Sequence, residues 1–349
     1  SALAQAPSVA QDLSKAGDVI VLAEATNDRI DSVKSQSRYD TAAWRAWKAD
    51  LKAEVIRKGI PADFADEIFA NIDYEPDAIK YDEKQFKPVP FRRSVESKVS
   101  DWRINKGVEF YNKHREEINK YAKQYDVSPY VIVALLGVET NYGTYLGKYD
   151  VVNAAATLAF GTKKGSAERQ ASRKKYFRAQ VYYALKILHE GHVAREDLKG
   201  SWAAAFGINQ HMPESFFTYV KDGDGDGDLE ILNTEDLSDV FATTANHLRE
   251  VGYKNGFRWG RDVLIPSGVP VGEKKLLSDW KSKGVTLTNK APIPVVAGMR
   301  ATIFKPSSLP GREGYLVYDN FYAFKRWNNS SSFAIGVGKL ALEIQDRAP

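Results

Sequence analysis

Two short stretches of this 349-residue chain carry side chains whose type and spacing suit chemistry. The first is GVETNYG at residues 137–143, where a single carboxylate, Glu139, lies near the end of the apolar run YVIVALLGVETNYG. The second is KDGDGDGDLEIL at residues 221–232, a row of acids separated by glycines. An isolated acid among apolar residues suits proton transfer, whereas a spaced row of acids suits cation binding.

Glu139 follows Leu135 and Leu136 by one turn, so it shares their face of a predicted helix that is apolar nearly all round. Burial there would disfavour the ionised form of Glu139 and raise its pKa. A carboxylic acid that is still protonated near neutral pH can donate a proton to a leaving oxygen. The residues alone leave a second interpretation open, a glutamate at a helix end that bonds to nearby backbone or to an arginine.

The row of acids matches the front half of an EF-hand loop. Gly227 stands at the tight-turn position of such a loop and an apolar residue, Leu229, follows two positions later, but Asn233 replaces the usual closing glutamate. Because carboxylates this close repel one another without a cation, we predict one structural calcium ion. Sodium and a solvated acidic loop are the alternatives. The row consists of Asp222, Asp224, Asp226 and Asp228.

Helical periodicity dominates the chain around these stretches. Ser128 and Pro129 predict the start of the helix that carries Glu139, and Gly143 predicts its end. Residues 167–191 predict a long amphipathic helix, and residues 237–253 predict another.

Two further segments have patterns of their own. Residues 74–93 contain three prolines and no helical period, which predicts an extended connection. The segment SWAAAFGINQHMPESFFTYV predicts a small-residue helix, a turn and a second helix that starts near Pro213.

Beyond about residue 263 the chain carries β-branched and aromatic residues between glycine and proline breaks, and it returns to a helical pattern at its end. We therefore predict an α+β fold, mainly α. The predicted regions are a helical N-terminal region at 1–105, a core at 106–262 that includes the acidic loop 222–236, a small β-rich domain at 263–326 and a C-terminal helix at 327–349 that packs back on the core.

Composition excludes several classes of function. A net charge of +4 is too weak, at this length, to indicate nucleic-acid binding. The absence of cysteine excludes disulfides, thiol nucleophiles and thiolate metal sites. No apolar run reaches the length of a membrane span. The small residues of the opening SALAQAPS suit an exported protein.

GVETNYG, followed downstream by KGSWAAAFGINQHMP, resembles the MltB-type lytic transglycosylases (glycoside hydrolase family 103) from about residue 100 to 345. The resemblance implies a lysozyme-like central domain that cleaves the β-1,4 bond between N-acetylmuramic acid and N-acetylglucosamine and leaves a 1,6-anhydro end. It also implies that Glu139 is the sole catalytic acid and base, without a catalytic cofactor. Ordinary glycosidases use two carboxylates, and a second one from elsewhere in the fold is still an open alternative.

The resemblance assigns substrate contacts as well. Ser201 and Gln210 become hydrogen-bonding candidates, with a helix N-cap and a solvated turn as the respective alternatives, and Tyr142 becomes a stacking candidate. RWNNSSSF near the C-terminus matches a stretch in which Trp327 and Phe333 stand where the family usually has tyrosines that face the sugar. On the same alignment, Asn328 matches the family's asparagine that faces the sugar.

In the family's extended version of the acidic loop the last ligand corresponds to Asp236, with Glu235 as its neighbouring competitor. The seventh loop position, Asp228, contributes through its backbone carbonyl in such loops.

The implied partner is the peptidoglycan glycan strand, and the implied location is periplasmic or secreted, as a soluble monomer without nucleic-acid partners. Rival interpretations are a muramidase that uses water, a non-catalytic peptidoglycan-binding scaffold and a calcium-regulated adaptor.

Overall fold

The structure is a computed structural model that describes residues 39–84 and 89–348. The opening SALAQAPS and the first 38 residues of the predicted helical N-terminal region lie outside these residues. The predicted fold class, α+β and mainly α, is confirmed. The described residues form fourteen helices: α1 Ala42–Arg57, α2 Ala62–Ala70, α3 Pro76–Glu83, α4 Phe91–Glu96, α5 Asp101–Lys113, α6 Arg115–Tyr125, α7 Pro129–Thr140, α8 Val151–Gly161, α9 Ala167–His189, α10 Pro213–Tyr219, α11 Ser238–Glu250, α12 Leu277–Ser282, α13 Asp319–Trp327 and α14 Ser331–Arg347.

The strands are short and fall into two antiparallel sheets, one of two strands and one of five in the order β4-β6-β7-β3-β5. No helix of the described part of the chain combines the length and the apolar character that a membrane crossing needs. The strands are β1 Tyr149–Asp150, β2 Lys199–Gly200, β3 Gly260–Leu264, β4 Lys274–Leu276, β5 Thr286–Leu287, β6 Arg300–Phe304 and β7 Glu313–Val317.

The chain divides into two compact units, each assembled from two separate segments. Among the described residues, the first unit combines 39–84 with 143–243, and the second combines 89–142 with 244–348. The four predicted regions are each continuous in sequence, and their boundaries stay a prediction.

The first unit is a helical body in which α9 packs against α8 and α10. Its apolar cluster includes Leu158, Phe177 and Trp202, and a buried ion pair joins Arg173 to Asp82. The predicted extended connection at 74–93 is wrong where α3 and the start of α4 form, and residues 85–88 of this segment lie outside the described part of the chain. Pro76 stands at the first helical position and the Glu75 side chain accepts the Asp77 N–H, so the proline starts a helix instead of preventing one.

The second unit contains the five-stranded sheet, which spans residues 260–317. Its long central strands pair from Gly260 with Val317 to Leu264 with Glu313. Trp280 is fully buried against this sheet and donates its indole N–H to the Ala301 carbonyl at 2.9 Å. The β-branched and aromatic residues beyond about residue 263 therefore do correspond to strands.

Helix α7, which carries Glu139, also belongs to the second unit and packs against α14. It begins where the sequence predicts, with Ser128 as N-cap and Pro129 at the first helical position. Nine of its twelve residues are buried, which agrees with the apolar character of all its faces. A helix this buried gives a rigid support to a side chain at its end.

Candidate active site

Glu139 lies in the last turn of α7 and is half-buried. One of its oxygens, Oε1, accepts a hydrogen bond of 2.9 Å from the indole Nε1–H of Trp327, the last residue of α13. An indole N–H can donate but cannot accept, so the direction of this bond is fixed. The structure therefore brings together Glu139 and one of the side chains predicted to face the sugar.

His247 of α11 stacks on the face of the Trp327 indole. The two rings are stacked, with centroids 4.0 Å apart and planes inclined by 21°. His247 is buried, so the stack has a fixed wall. Sequence reasoning missed His247, because a single histidine in an amphipathic helix carries no signal that relates it to a residue 80 positions away.

Arg103 secures the end of α7 that bears Glu139. Its buried guanidinium donates from Nε to the Gly137 carbonyl at 3.1 Å, from Nη2 to Asn141 Oδ1 at 2.8 Å, and from Nη1 to the Ser97 carbonyl. Burial lowers the pKa of Arg103, yet a cation at the carboxyl end of a helix is favoured by the helix dipole. Arg103 lies in α5 and was also missed, since no motif surrounds it.

Helix α7 ends at Thr140, three residues before the predicted Gly143. Asn141 and Tyr142 both adopt left-handed backbone, with φ of 50° and 62°. The Asn141 N–H bonds to the Gly137 carbonyl and the Tyr142 N–H to the Leu136 carbonyl, so both left-handed residues satisfy carbonyls of the last turns of the helix. Left-handed backbone at a tyrosine is uncommon, so the surrounding contacts must hold it.

Those contacts involve the ring of Tyr142. Its hydroxyl donates to the Arg103 carbonyl at 2.6 Å, and burial raises the pKa of the phenol. A Cβ at Gly137 would lie 2.4 Å from the ring carbon Cζ, so only glycine leaves room for it. The predicted sugar-stacking residue is therefore half-buried and fixed against α7.

The two remaining C-terminal candidates differ in environment. Asn328 caps α13, and its side-chain Oδ1 is buried without a hydrogen-bond donor among the described residues. Phe333 lies in the first turn of α14, where the residue is only 3% exposed and its N–H bonds to Ser330 Oγ. The predicted contact of Phe333 with sugar stays a prediction.

Ser201 lies in the first unit, within a tight non-helical loop. The small-residue helix predicted for this segment is wrong, because Ala204 and Gly207 have φ of 67° and 82°. Ser201 Oγ accepts the Ala205 N–H at 3.1 Å, and the Ser201 N–H bonds to the Ala205 carbonyl at 2.8 Å. The hydroxyl thus closes a local turn, not a helix N-terminus.

Gln210 lies in the same unit with left-handed backbone, φ 49°. Its side-chain Nε2 donates to the Gly207 carbonyl at 2.9 Å and to the Leu146 carbonyl at 3.3 Å. Both bonds use the amide nitrogen of Gln210. The amide oxygen is the other polar atom of this half-buried side chain, and it can act as an acceptor. Gln210 is held in place by backbone, unlike a residue in a solvated turn.

The acidic loop of the first unit gathers three of the predicted ligands. One carboxylate oxygen from each of Asp222, Asp224 and Asp226 lies within 4.8 Å of the other two. The side chains of Asp228 and Asp236 are not part of this group. Burial and the charges of neighbouring acids raise the pKa of Asp228, as expected where several carboxylates lie close together.

Two acids that follow the loop act on its backbone. Asp236 Oδ1 accepts the Ser238 N–H and hydroxyl at 2.9 and 2.7 Å, which lowers the pKa of Asp236. Asp239 accepts the Gly223 N–H at 2.6 Å and the Glu230 N–H at 2.7 Å, so it joins both sides of the loop. Burial raises the pKa of Asp239 to about 6. Sequence reasoning missed Asp239, which falls outside the EF-hand spacing.

Comparison with known proteins gives consistent matches. The Transglycosylase SLT domain family matches residues 43–342. The chain is similar to membrane-bound lytic murein transglycosylase B of Escherichia coli (strain K12), with 28% identity over 246 residues, which are 69% of this chain and 63% of that protein. This match therefore spans less than two thirds of that relative.

Two crystal structures of SltB3 from Pseudomonas aeruginosa are also similar to the chain. They hold NAG-NAM-pentapeptide and NAG-anhNAM-pentapeptide, and they superpose with TM-scores of 0.79 and 0.78. In both cases the identity is 30%, and the match covers 87% of this chain and 80% of SltB3.

Proposed function

The chain belongs to the Transglycosylase SLT domain family, and from this premise we propose that it is a peptidoglycan lytic transglycosylase with Glu139 as its single general acid and base. Its expected membership among the MltB-type enzymes is confirmed. The observation that carries the proposal is the carboxyl group of Glu139, held at the end of a buried helix by the Trp327 indole.

In the first step of the proposed reaction, protonated Glu139 donates its proton to the glycosidic oxygen between N-acetylmuramic acid and N-acetylglucosamine. The bond from the anomeric carbon to that oxygen breaks, and the oxygen leaves as a hydroxyl. Glu139 becomes a carboxylate, and the muramyl residue carries the positive character of an oxocarbenium ion.

In the second step, the Glu139 carboxylate removes the proton from the 6-hydroxyl of the same muramyl residue. The oxygen of that hydroxyl then bonds to the anomeric carbon and closes the 1,6-anhydro ring. Glu139 ends protonated as it began, and no water is consumed. One carboxyl group is enough for this sequence because the substrate supplies the nucleophile.

Substrate contacts are proposed for Tyr142, Ser201, Gln210, Trp327, Asn328 and Phe333. The buried Oδ1 of Asn328 supports this role, since a buried acceptor without a donor costs about 1–3 kcal/mol and an N–H or O–H of the sugar would satisfy it. The amide oxygen of Gln210 offers a second acceptor on a side chain fixed by backbone bonds.

We also propose one structural calcium ion in the acidic loop. The three clustered carboxylates of Asp222, Asp224 and Asp226 fit a hard cation that takes oxygen ligands. The Asp228 carbonyl and the Asp236 carboxylate would complete the set. The ion would neutralise the acids and tie the loop to the start of α11, without a part in the reaction.

The proposed site of action is outside the cytoplasm, in the periplasm or as a secreted monomer, because peptidoglycan is found there. The glycan-peptide fragments bound to SltB3 support peptidoglycan as the substrate class.

The test is mass analysis of the products released from purified sacculi by the wild-type protein and by Glu139→Gln. We expect anhydro-ended products from the wild type and none from the variant, which keeps the size of the side chain but cannot donate an acidic proton. Products that are one water heavier would instead identify a hydrolytic muramidase. Undiminished digestion by Glu139→Gln would exclude Glu139 as the acid, and no digestion by either protein would favour a binding scaffold.

A further inference from the structure

The hydrogen bond between Trp327 and Glu139 distinguishes the two oxygens of the carboxyl group. Trp327 Nε1 donates to Oε1 at 2.9 Å. Because an indole has no acceptor, the oxygen it contacts must present a lone pair in every protonation state of Glu139. In a neutral carboxylic acid the carbonyl oxygen is the better acceptor, so the acidic proton belongs on the other oxygen.

We infer that Trp327 is a positioning residue that keeps the transferable proton of Glu139 on Oε2, the oxygen that must then face the glycosidic bond. This inference rests on the proposed function and assigns Trp327 a role beyond sugar contact. A tyrosine, which the family usually carries at this position, has a hydroxyl that can donate or accept and so does not select one oxygen. The departure of this chain from the family pattern thus has a chemical consequence.

The indole is well held for this task. His247 stacks on it at 4.0 Å with nearly parallel planes and is itself buried. Arg103 fixes the carboxyl end of α7 through the Gly137 carbonyl and the Asn141 side chain, so the backbone that carries the acceptor is also held in place. A hydrogen bond between two fixed groups needs little reorganisation when the proton leaves Oε2.

The ionisable side chains around this hydrogen bond include His247, which stacks on the indole, Arg103, which binds the Gly137 carbonyl, and Tyr142, whose ring packs against Gly137. The helices α5, α11 and α13 also carry other acidic and basic side chains, among them Asp239, Arg249, Glu250, Asp319, Lys325 and Arg326. Of these side chains, only a histidine has an unperturbed pKa that places its change of charge between about pH 5 and pH 8. An experiment that follows the bond by pH must therefore separate the ionisation of Glu139 from that of His247.

The direct test is nuclear magnetic resonance of the full chain labelled with ¹⁵N at its seven indoles. The Trp327 signal is assigned by its loss in Trp327→Phe. We expect its chemical shift to change in a single pH step that disappears in Glu139→Gln and persists in His247→Phe, which keeps an aromatic ring in the stack. A Trp327 signal without a step, or with a step that survives Glu139→Gln, would overturn the inference.

A kinetic test separates positioning from sugar stacking. On a soluble peptidoglycan fragment, Trp327→Phe should lower kcat by roughly tenfold with little change in KM, because the lost bond acts on the acid and not on substrate binding. Trp327→Tyr should recover part of the loss, since a phenol can donate. A raised KM with unchanged kcat in Trp327→Phe would assign the indole to substrate binding and contradict the inference.

The titration can fail independently of the proposed function. The titration needs no substrate, so it reports on the Trp327–Glu139 bond even if the reaction proves to be a hydrolysis. Conversely, anhydro products that persist in Glu139→Gln would refute the proposed function whatever the titration shows. Thermal unfolding of each variant identifies any that fails to fold.

Discussion

Glu139 and Trp327 are separated by 188 residues of sequence, yet a single hydrogen bond joins them in the second unit. The Glu139 motif indicates an acid in an apolar helix, and the family resemblance indicates an aromatic residue near the sugar. Neither indicates that the aromatic residue donates to the acid. The exchange of a tyrosine hydroxyl for an indole N–H matters because only the indole is restricted to donation.

His247 offers a prediction about the wall behind the indole. His247→Ala removes a buried ring that stacks on Trp327, and the cavity it leaves should lower the free energy of unfolding by about 2–4 kcal/mol. Activity should fall because the indole loses its fixed plane. Urea unfolding and product release from sacculi measure the two effects.

The matched control is His247→Phe, which preserves the stack and should retain most of both properties. Equal loss in the alanine and phenylalanine variants would show that the imidazole nitrogens matter and not the ring plane.

Arg103 provides a second prediction about one side chain. Arg103→Lys keeps the charge but cannot reach the Gly137 carbonyl, Asn141 and Ser97 together, since an ammonium lacks the planar fork. We expect a loss of about 1–3 kcal/mol in the free energy of unfolding, because buried acceptors lose their donors. The exposed Arg57→Lys serves as the control, and an equal effect in both variants would contradict this role for Arg103.

The end of α7 shows how a local backbone conformation is maintained by packing. Gly137 leaves space for the Tyr142 ring, and that ring holds two consecutive residues in left-handed backbone. Gly137→Ala would favour a helix by intrinsic propensity. We expect it to destabilise the protein instead, by about 1–3 kcal/mol, because the new Cβ overlaps the ring.

A double-mutant cycle in urea tests this expectation. Gly137→Ala should cost much less in a Tyr142→Ala background, where the ring is absent. Additive effects of the two substitutions would show that the overlap is not the cause.

The acidic loop connects pH to stability through Asp239, whose pKa burial raises to about 6. A raised pKa in the folded state means that the fold is more stable when Asp239 is protonated than when it is ionised. This contribution is fully present below about pH 4 and is lost as the pH rises through about 6. In a chelator the melting temperature should therefore decrease across this window.

Calcium should reverse that trend, because it binds the deprotonated carboxylates. The gain in melting temperature on adding calcium should be larger at about pH 8 than at about pH 5. It should vanish in the double variant Asp224→Asn, Asp226→Asn and persist in the surface variant Asp63→Asn. A gain that is independent of the loop carboxylates would exclude a calcium ion at this site.

For the molecule as a whole, periodicity predicted the long helices well. The segments 167–191 and 237–253 correspond to α9 and α11. Periodicity failed for the segment from Ser201 to Gln210, where small residues suggested a helix. There the positive φ at Ala204 and Gln210 depends on bonds within the folded loop and not on residue type.

The candidate site, like the fold, could be predicted only in part. Motifs predicted Glu139 and the clustered carboxylates of the acidic loop, because their spacing along the chain carries the chemistry. They could not predict Arg103, His247 or Asp239, whose roles arise from contacts between distant elements. The two units could not be predicted from the sequence either, since each is assembled from segments that are separated along the chain.

The most direct test of the central claim is digestion of purified sacculi in water enriched with heavy oxygen, followed by mass analysis of the glycan products. If the 6-hydroxyl of the sugar is the nucleophile and Glu139 transfers the protons, the muramyl ends will carry an anhydro ring and no heavy oxygen. The Glu139→Gln variant will release no such ends. Incorporation of one heavy oxygen at each new muramyl end would contradict the account, since water would then be the nucleophile.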